Sequence, residues 1–170
     1  MCIKGFIFDL DMTLVDTSAL FELRLKRNWK EVYSHIDQTK LYPGVHQLIS
    51  AINDKYVAGI VTSSPRPYAE KVVRYHNINL DILVAYHDTS LHKPNPEPIM
   101  LGVKKLNIPP SQILSVGDEL KDIIASKRAG TKTALITPNN AAFDQEIRPD
   151  YIFTSVSKLL DQINDILTRC

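Results

Sequence analysis

The chain has few cysteines, no dominant charge and no repeated or low-complexity tract, and each absence excludes a class of protein. Its two cysteines, Cys2 and Cys170, show neither a CxxC spacing nor a Cys/His pattern, so no zinc site and no disulfide framework is indicated. The net charge of +1 gives no reason to expect affinity for nucleic acids or for anionic membranes.

Long hydrophobic runs are also missing. No apolar stretch approaches the ~20 residues that a membrane-crossing helix needs. The first apolar run meets an acidic residue at Asp9, which is unlike a secretory signal peptide. We therefore expect a cytoplasmic protein. Its 170 residues, 44% of them hydrophobic and 23% charged, predict one globular domain over residues 1–170.

Short hydrophobic segments alternate with segments of helical spacing along the whole chain. This alternation predicts an α/β fold, a doubly wound (Rossmann-like) parallel sheet with helices on both faces. The stretch 137–149 has the weakest pattern. The predicted strands are 3–8, 56–61, 82–85, 113–116, 133–136 and 151–153, and the predicted helices are 18–36, 45–53, 67–75, 96–106, 120–128 and 156–167.

Two aspartates, Asp9 and Asp11, follow the first predicted strand. Residues two apart in a strand point the same way, so both carboxylates can face one crevice at the strand's carboxyl end. Two negative charges that are so close need compensation. A bound divalent cation would supply it, and so would protonation of one carboxyl group.

Other polar residues follow the remaining strands at the same predicted edge. In doubly wound sheets, ligands bind beyond the carboxyl ends of the strands. Carboxylates there suit Mg²⁺, whereas lysine and small hydroxyls can hold a phosphate, so the set indicates a phosphate-handling site. Its further members are Thr13, Thr62, Ser63, Ser64, Lys93, Asp118 and Asp122.

Four ordered motifs resemble those of the haloacid dehalogenase-like superfamily. They are Asp-Leu-Asp-Met-Thr at 9–13, the hydrophobic strand ending in Thr62, Lys93 before Pro94, and Gly-Asp-Glu-Leu-Lys-Asp at 117–122. The resemblance extends over essentially the whole chain and is strongest to the phosphoglycolate phosphatase-like branch. One departure is Met12, at a position where that family usually has glycine, and it concerns the local backbone geometry.

The resemblance implies a role for each matching residue. Asp9 would be the nucleophile that forms an aspartyl-phosphate, and Asp11 the general acid and base. Thr62 would hydrogen-bond the transferring phosphoryl group, and Lys93 would neutralise its charge.

The resemblance also implies a metal site and contacts with substrate. Asp118 would bind Mg²⁺ together with Asp9 and the backbone carbonyl of Asp11, with Asp122 as a further ligand or as support for the others. Thr13 and the residue after Thr62, Ser63, would contact the substrate. Ser63 and Ser64 could instead cap the following helix.

A carboxylate at Asp11 separates branches of the family. Dehalogenases and P-type ATPases typically lack it, so the resemblance implies a phosphatase acting on a phosphate monoester. Two alternatives stay open: a phosphomutase on the same scaffold, and a catalytically weak module that binds phosphate and regulates.

The segment 17–41 is the place for a substrate-selecting cap, and it is short. The resemblance therefore implies a helical cap reduced to a flap, which suits either a bulky phosphorylated substrate or closure by a second subunit. An apolar face on this segment could pack on such a subunit, giving a homo-oligomer, or on the chain's own core. Its members are Leu25, Trp29, Tyr33 and Ile36.

Overall fold

The computed structural model describes residues 2–53, 55–138 and 147–168. Within these ranges, strands and helices alternate as the hydrophobic pattern predicts. The strands are β1 (Gly5–Phe8), β2 (Val15–Asp16), β3 (Lys40–Leu41), β4 (Val57–Val61), β5 (Ile82–Val84), β6 (Ile113–Gly117), β7 (Lys132–Ile136) and β8 (Tyr151–Phe153). The helices are α1 (Phe21–Leu25), α2 (Trp29–Ser34), α3 (Val45–Asn53), α4 (Arg66–Tyr75), α5 (Glu97–Leu106), α6 (Leu120–Arg128) and α7 (Val156–Thr168).

Six strands form one parallel sheet in the order β5-β4-β1-β6-β7-β8. The first strand lies in the middle, where Phe8 pairs with Ile60 of β4 on one side and with Val116 of β6 on the other. The chain therefore reverses its direction of travel across the sheet beside β1, which makes the carboxyl end of β1 a topological switch point. The expected doubly wound α/β fold is confirmed.

Alternation along β1 divides the core between the two faces of the sheet. Phe6 and Phe8 face the larger hydrophobic cluster, to which α3, α4 and α7 contribute, whereas Ile7 faces the smaller cluster formed with α5 and α6. All four residues of β1 are buried. This burial on both faces explains why the strand is continuously apolar, as central parallel strands are.

The helical spacing over 18–36 does not form one continuous helix. The segment forms two short helices, α1 and α2, flanked by 3₁₀ turns at Ser18–Leu20 and Ile36–Gln38. Arg27 has a φ of 54°, in the left-handed region, which ends α1 and turns the chain before α2 begins. The ends of the segment are joined by the antiparallel pair β2 and β3, which the hydrophobic pattern does not predict.

The side chains of the apolar face expected on this segment are partly in the core and partly exposed. Trp29 and Tyr33 pack against the chain's own core and Ile36 is buried in it, whereas 68% of Leu25 is exposed. The core therefore takes three of the four side chains that were available for a second subunit.

Three further findings concern the chain as a whole. Cys2 is disulfide-bonded in the structure, a bond that the cysteine spacing does not predict. Most of the stretch 137–149, expected to be the least structured, lies outside the described residues. In the part of the chain that is described, no helix has the length and apolar character required to cross a membrane.

Candidate active site

Asp9 lies directly after β1 and is joined to two other segments through Lys93. The Nζ atom of Lys93 donates to Asp9 Oδ1 at 2.6 Å, to Asp122 Oδ1 at 2.6 Å and to the carbonyl oxygen of Val61 at 2.9 Å. The Asp9 backbone N–H donates to the carbonyl oxygen of Val116 at 2.9 Å, which continues the pairing of β1 with β6. Only 2% of the Lys93 side chain is exposed. The lysine therefore has one fixed position between two carboxylates.

Three carboxylates converge at this edge of the sheet. Asp9, Asp118 and Asp122 each present an oxygen, and these oxygens lie within 4.8 Å of one another. The Thr13 hydroxyl donates to Asp118 Oδ1 at 2.6 Å and fixes the orientation of that side chain. Gly117, the last residue of β6, permits the close packing, since a Cβ atom there would lie 2.5 Å from the Cβ of Asp122. Such a set of hard oxygen donors fits a small divalent cation.

Burial and mutual repulsion perturb the acid groups of this cluster. Burial raises the pKa of Asp9 well above its ordinary value. The positive charge of Lys93 lowers this pKa, whereas the negative charges of neighbouring aspartates raise it further. Burial likewise raises the pKa of Asp118 to about 6, although the hydrogen bond from Thr13 opposes this shift. For Lys93, burial opposes the charged form, but Asp9 and Asp122 outweigh it and raise the pKa. The cluster thus carries more negative charge than its lysine neutralises.

Asp11 lines the same cleft as Asp9 and is held by three donors. Ser64 donates to Asp11 Oδ2 at 2.5 Å and Tyr68 donates to Oδ1 at 2.8 Å. Arg24 of α1 forms an ion pair with Oδ1 at 2.8 Å and also hydrogen-bonds Thr17 and Ser64. The Arg24 guanidinium lies 4.9 Å from the centre of the Tyr68 ring. The contacts fix Asp11 through residues from the short insert and from α4.

A cleft of about 300 Å³ separates Asp9 from the insert. Thr62 lies in its wall directly after β4, and its hydroxyl accepts the Ser64 backbone N–H at 3.1 Å. Ser63 is exposed beside it. The mouth of the cleft is bounded by Phe21 and Leu25 of α1, which are 60% and 68% exposed.

The structure places most of the expected site residues around this cleft. Asp9, Asp11, Thr62, Ser63, Asp118 and Asp122 line it, Lys93 lies buried behind Asp9, and Thr13 reaches it through Asp118. The alternative capping role is not observed for Ser63 or Ser64, because α4 begins after Pro65 with no side-chain cap. Met12 has a φ of 62°, so the backbone takes here the left-handed conformation that glycine favours.

Two residues that hold Asp11 were not identified from the sequence. Tyr68 is fully buried in the first turn of α4, the helix that follows Thr62. Its position could have been found, because the first turn of such a helix lies at the carboxyl edge of the sheet. Arg24 carries no comparable signal, since its pairing with Asp11 is a contact across the cleft.

The sequence of this chain matches a known protein family. A family model described as haloacid dehalogenase-like hydrolase matches residues 22–136. Pyrophosphatase PpaX of Bacillus cereus is 26% identical over an alignment of 213 residues, which covers 98% of this chain and 99% of the relative. Because that alignment is longer than the 170-residue chain, the relative has segments that this chain lacks.

Solved structures agree in fold. The structure of a HAD phosphatase from Thermococcus onnurineus superposes with a TM-score of 0.81 at 19% identity, covering 98% of each chain. A structure described as a predicted phosphoglycolate phosphatase from Haemophilus somnus gives a TM-score of 0.80 at 21% identity, covering 95% of this chain and 98% of its own. Because the family model spans more than half of the sequence, the chain belongs to the haloacid dehalogenase-like hydrolase family.

Proposed function

We propose that this protein is a Mg²⁺-dependent phosphatase that hydrolyses a phosphate monoester through an aspartyl-phosphate. The observation that carries the proposal is that Asp9 and Asp11 line one cleft but have different partners. Asp9 is fixed beside a buried lysine, whereas Asp11 is held by three donors that belong to other segments. Two carboxylates with different surroundings can perform different chemistry. The phosphatase names of the relatives agree with this assignment.

The reaction divides into two displacements at phosphorus. A carboxylate oxygen of Asp9 attacks, the bond from phosphorus to the leaving oxygen breaks, and Asp11 gives a proton to that oxygen. A water molecule then attacks the aspartyl-phosphate and gives a proton to Asp11. The acyl phosphate bond breaks, which releases inorganic phosphate and returns Asp9 to its carboxylate form.

The neighbouring polar groups stabilise charge on the phosphoryl group. Lys93 contacts Asp9 Oδ1 and can hold the nucleophile while it offsets negative charge on phosphorus. Thr62 and Ser63 line the cleft and can donate to the phosphoryl oxygens. Thr13 acts through Asp118, whose carboxylate it orients.

The three clustered carboxylates fit a Mg²⁺ ion. Asp9 and Asp118 would hold it together with the backbone carbonyl of Asp11, and Asp122 would either bind it directly or support Lys93. When bound, the ion offsets the repulsion between an anionic nucleophile and a phosphate dianion, which amounts to roughly several kcal/mol at close approach. Burial is the largest cause of the raised pKa of Asp9 and of Asp118, and neighbouring carboxylates raise both further, so a bound cation would favour their ionised forms.

Residues 17–41 act in this proposal as a reduced helical cap on the single domain. Its α1 supplies Arg24 to Asp11 and exposes Phe21 and Leu25 at the mouth of the cleft. The shorter length of the chain relative to PpaX supports such a reduction. A homo-oligomer formed through this cap and a cytoplasmic location both stay predictions.

Phosphate release from p-nitrophenyl phosphate tests the proposal. The wild type should release phosphate with Mg²⁺ and lose this activity with a chelator. Asp9→Asn should abolish turnover, whereas Asp161→Asn, an exposed aspartate on α7, should leave it unchanged. Equal activity of Asp9→Asn and the wild type would exclude Asp9 as the nucleophile. Phosphate transfer between two positions of a sugar, without release, would favour a phosphomutase, and an inactive wild type would favour a binding module.

A further inference from the structure

A second pocket of about 340 Å³ adjoins the catalytic cleft on the side of the insert. The described residues of its lining are mostly basic, aromatic or hydroxylic, and none of them is a carboxylate. The residues are Arg24, Arg27, Trp29, Ser63, Ser64, Pro65, Tyr86 and His87. A concave surface with two guanidinium groups and no acid favours an anionic ligand.

Among the described residues that line this pocket, Arg27 is a cation without an ion-pair partner. Arg24 already pairs with Asp11, but within the described ranges the Arg27 side chain makes no hydrogen bond and no ion pair. Its φ of 54° is unusual for a residue with a long side chain. Backbone hydrogen bonds from Arg27 to Arg24 and from Trp29 to Arg27, at 3.0 and 2.9 Å, fix the turn. The guanidinium is therefore available to a ligand and carried by an ordered turn.

The pocket and the catalytic cleft are adjacent and have three lining residues in common. Arg24, Ser63 and Ser64 line both, and Ser64 and Arg24 directly contact Asp11. Asp11 is the group proposed to protonate the leaving oxygen. A leaving group attached to that oxygen would thus extend past Arg24 into the second pocket.

We propose that this pocket binds the leaving group of the substrate, and that Arg27 binds a second anionic group on it, either a carboxylate or a phosphate. The substrate class is therefore a small organic phosphate with two anionic groups. This inference rests on the proposed phosphatase activity, which supplies the direction in which the leaving group lies. Trp29 and Tyr86 provide the apolar walls for the carbon frame between the two groups.

Matched substrate pairs test the assignment. 3-Phosphoglycerate differs from glycerol 3-phosphate by a carboxylate in place of a hydroxymethyl group, and fructose 1,6-bisphosphate differs from fructose 1-phosphate by a second phosphate. For at least one pair, we expect kcat/KM to be about tenfold or more higher for the compound with two anionic groups than for the compound with one, as one charge-assisted hydrogen bond would give. The pair that shows the preference identifies the second group.

Variants separate the role of Arg27 from a general effect of positive charge. Arg27→Gln should reduce the preference about tenfold, and Arg27→Lys should keep part of it because the charge remains. Lys26→Gln, at the adjacent and 72% exposed lysine outside the pocket, should leave the preference unchanged at constant ionic strength. An unchanged preference in Arg27→Gln, an equal loss in Lys26→Gln, or a wild type without preference for either pair would overturn the proposal.

A failure of the proposed phosphatase activity can be distinguished from a failure of the pocket assignment. If the wild type hydrolyses none of these substrates, titration calorimetry with the same pairs in the presence of Mg²⁺ measures the preference as a ratio of Kd values. A preference that Arg27→Gln abolishes would support the pocket even then. Equal Kd values within each pair would refute it.

Discussion

Replacement of Lys93 by methionine should destabilise the metal-free protein strongly. The methionine side chain has a similar length, so the change removes the ammonium group while leaving most of the volume filled. Lys93 Nζ makes three hydrogen bonds, to Asp9, to Asp122 and to the carbonyl of Val61. Its loss leaves two buried carboxylates facing each other with no cation between them.

The size of the effect follows from the burial of these groups. Only 2% of the lysine, 11% of the Asp9 and 6% of the Asp122 side chain are exposed. Breaking a buried ion pair by removal of one partner costs about 3–5 kcal/mol. For a domain of this size, 1 kcal/mol corresponds to about 2–4 °C in Tm, so we expect a decrease of roughly 6–20 °C.

Thermal unfolding followed by circular dichroism measures this change in the presence of a chelator. Lys121→Met is the matched control, because Lys121 is 41% exposed and forms an ion pair with the exposed Glu119, a type of contact worth about 0–1 kcal/mol. Adding Asp122→Asn to Lys93→Met should recover part of the loss, since the second change removes one of the two uncompensated charges.

Acid should also reduce the loss in Lys93→Met. The pKa of Asp9 is already raised in the wild type, and without the lysine this carboxyl accepts a proton more readily as the pH decreases. The destabilisation relative to wild type should therefore be smaller at about pH 5 than at about pH 8. Equal Tm values for Lys93→Met and Lys121→Met in chelator would refute the claim that Lys93 compensates these two acids.

Three further predictions concern the same edge of the sheet. Met12→Gly should raise Tm by about 1–4 °C, because it removes a left-handed strain of roughly 1–2 kcal/mol at some entropic cost. Met12→Ala keeps the Cβ atom and should give no such gain; an equal gain would contradict the strain argument. Tyr68→Phe should lower kcat about fivefold to tenfold with the fold intact, because Asp11 loses one of its three donors. An unchanged kcat would show that this hydroxyl has no part in positioning Asp11. Mg²⁺ should bind more weakly as the pH falls through about 6, since the raised pKa of Asp118 lets a proton compete with the ion. Titration calorimetry can measure the affinity for Mg²⁺ at about pH 7.5 and at about pH 5.5, and equal affinities at the two values would contradict this prediction.

The edge of the sheet that carries Asp9 could be predicted from the sequence because its polar residues directly follow strands. Asp9, Thr62 and Asp118 each come immediately after a segment with strong strand preference, and parallel strands present their carboxyl ends together. Local pattern therefore specifies both the element and the end at which the side chain lies. The sequence pattern specifies the position of Lys93 less well than that of the three residues above, because Lys93 lies in a loop and does not directly follow a strand.

The insert could not be predicted in the same way. Its apolar residues follow helical spacing, and no glycine or proline interrupts residues 18–40, so the pattern favours one helix. The break between the two helices requires a left-handed backbone conformation at Arg27, and no residue type in the sequence indicates it. The contact of Arg24 with Asp11 depends on the tertiary packing of α1 over the cleft, which local periodicity does not encode.

The two-residue ribbon of β2 and β3 has a consequence for how this enzyme can be rebuilt. Val15 pairs with Leu41 and Asp16 with Lys40, so the entry and exit of the insert lie side by side. Adjacent ends tolerate changes of loop length well, because each doubling of the loop costs only about 0.6 kcal/mol in closure entropy. The ribbon is thus a graft point: a longer or different insert can be exchanged there while the central strand and Asp9 keep their positions.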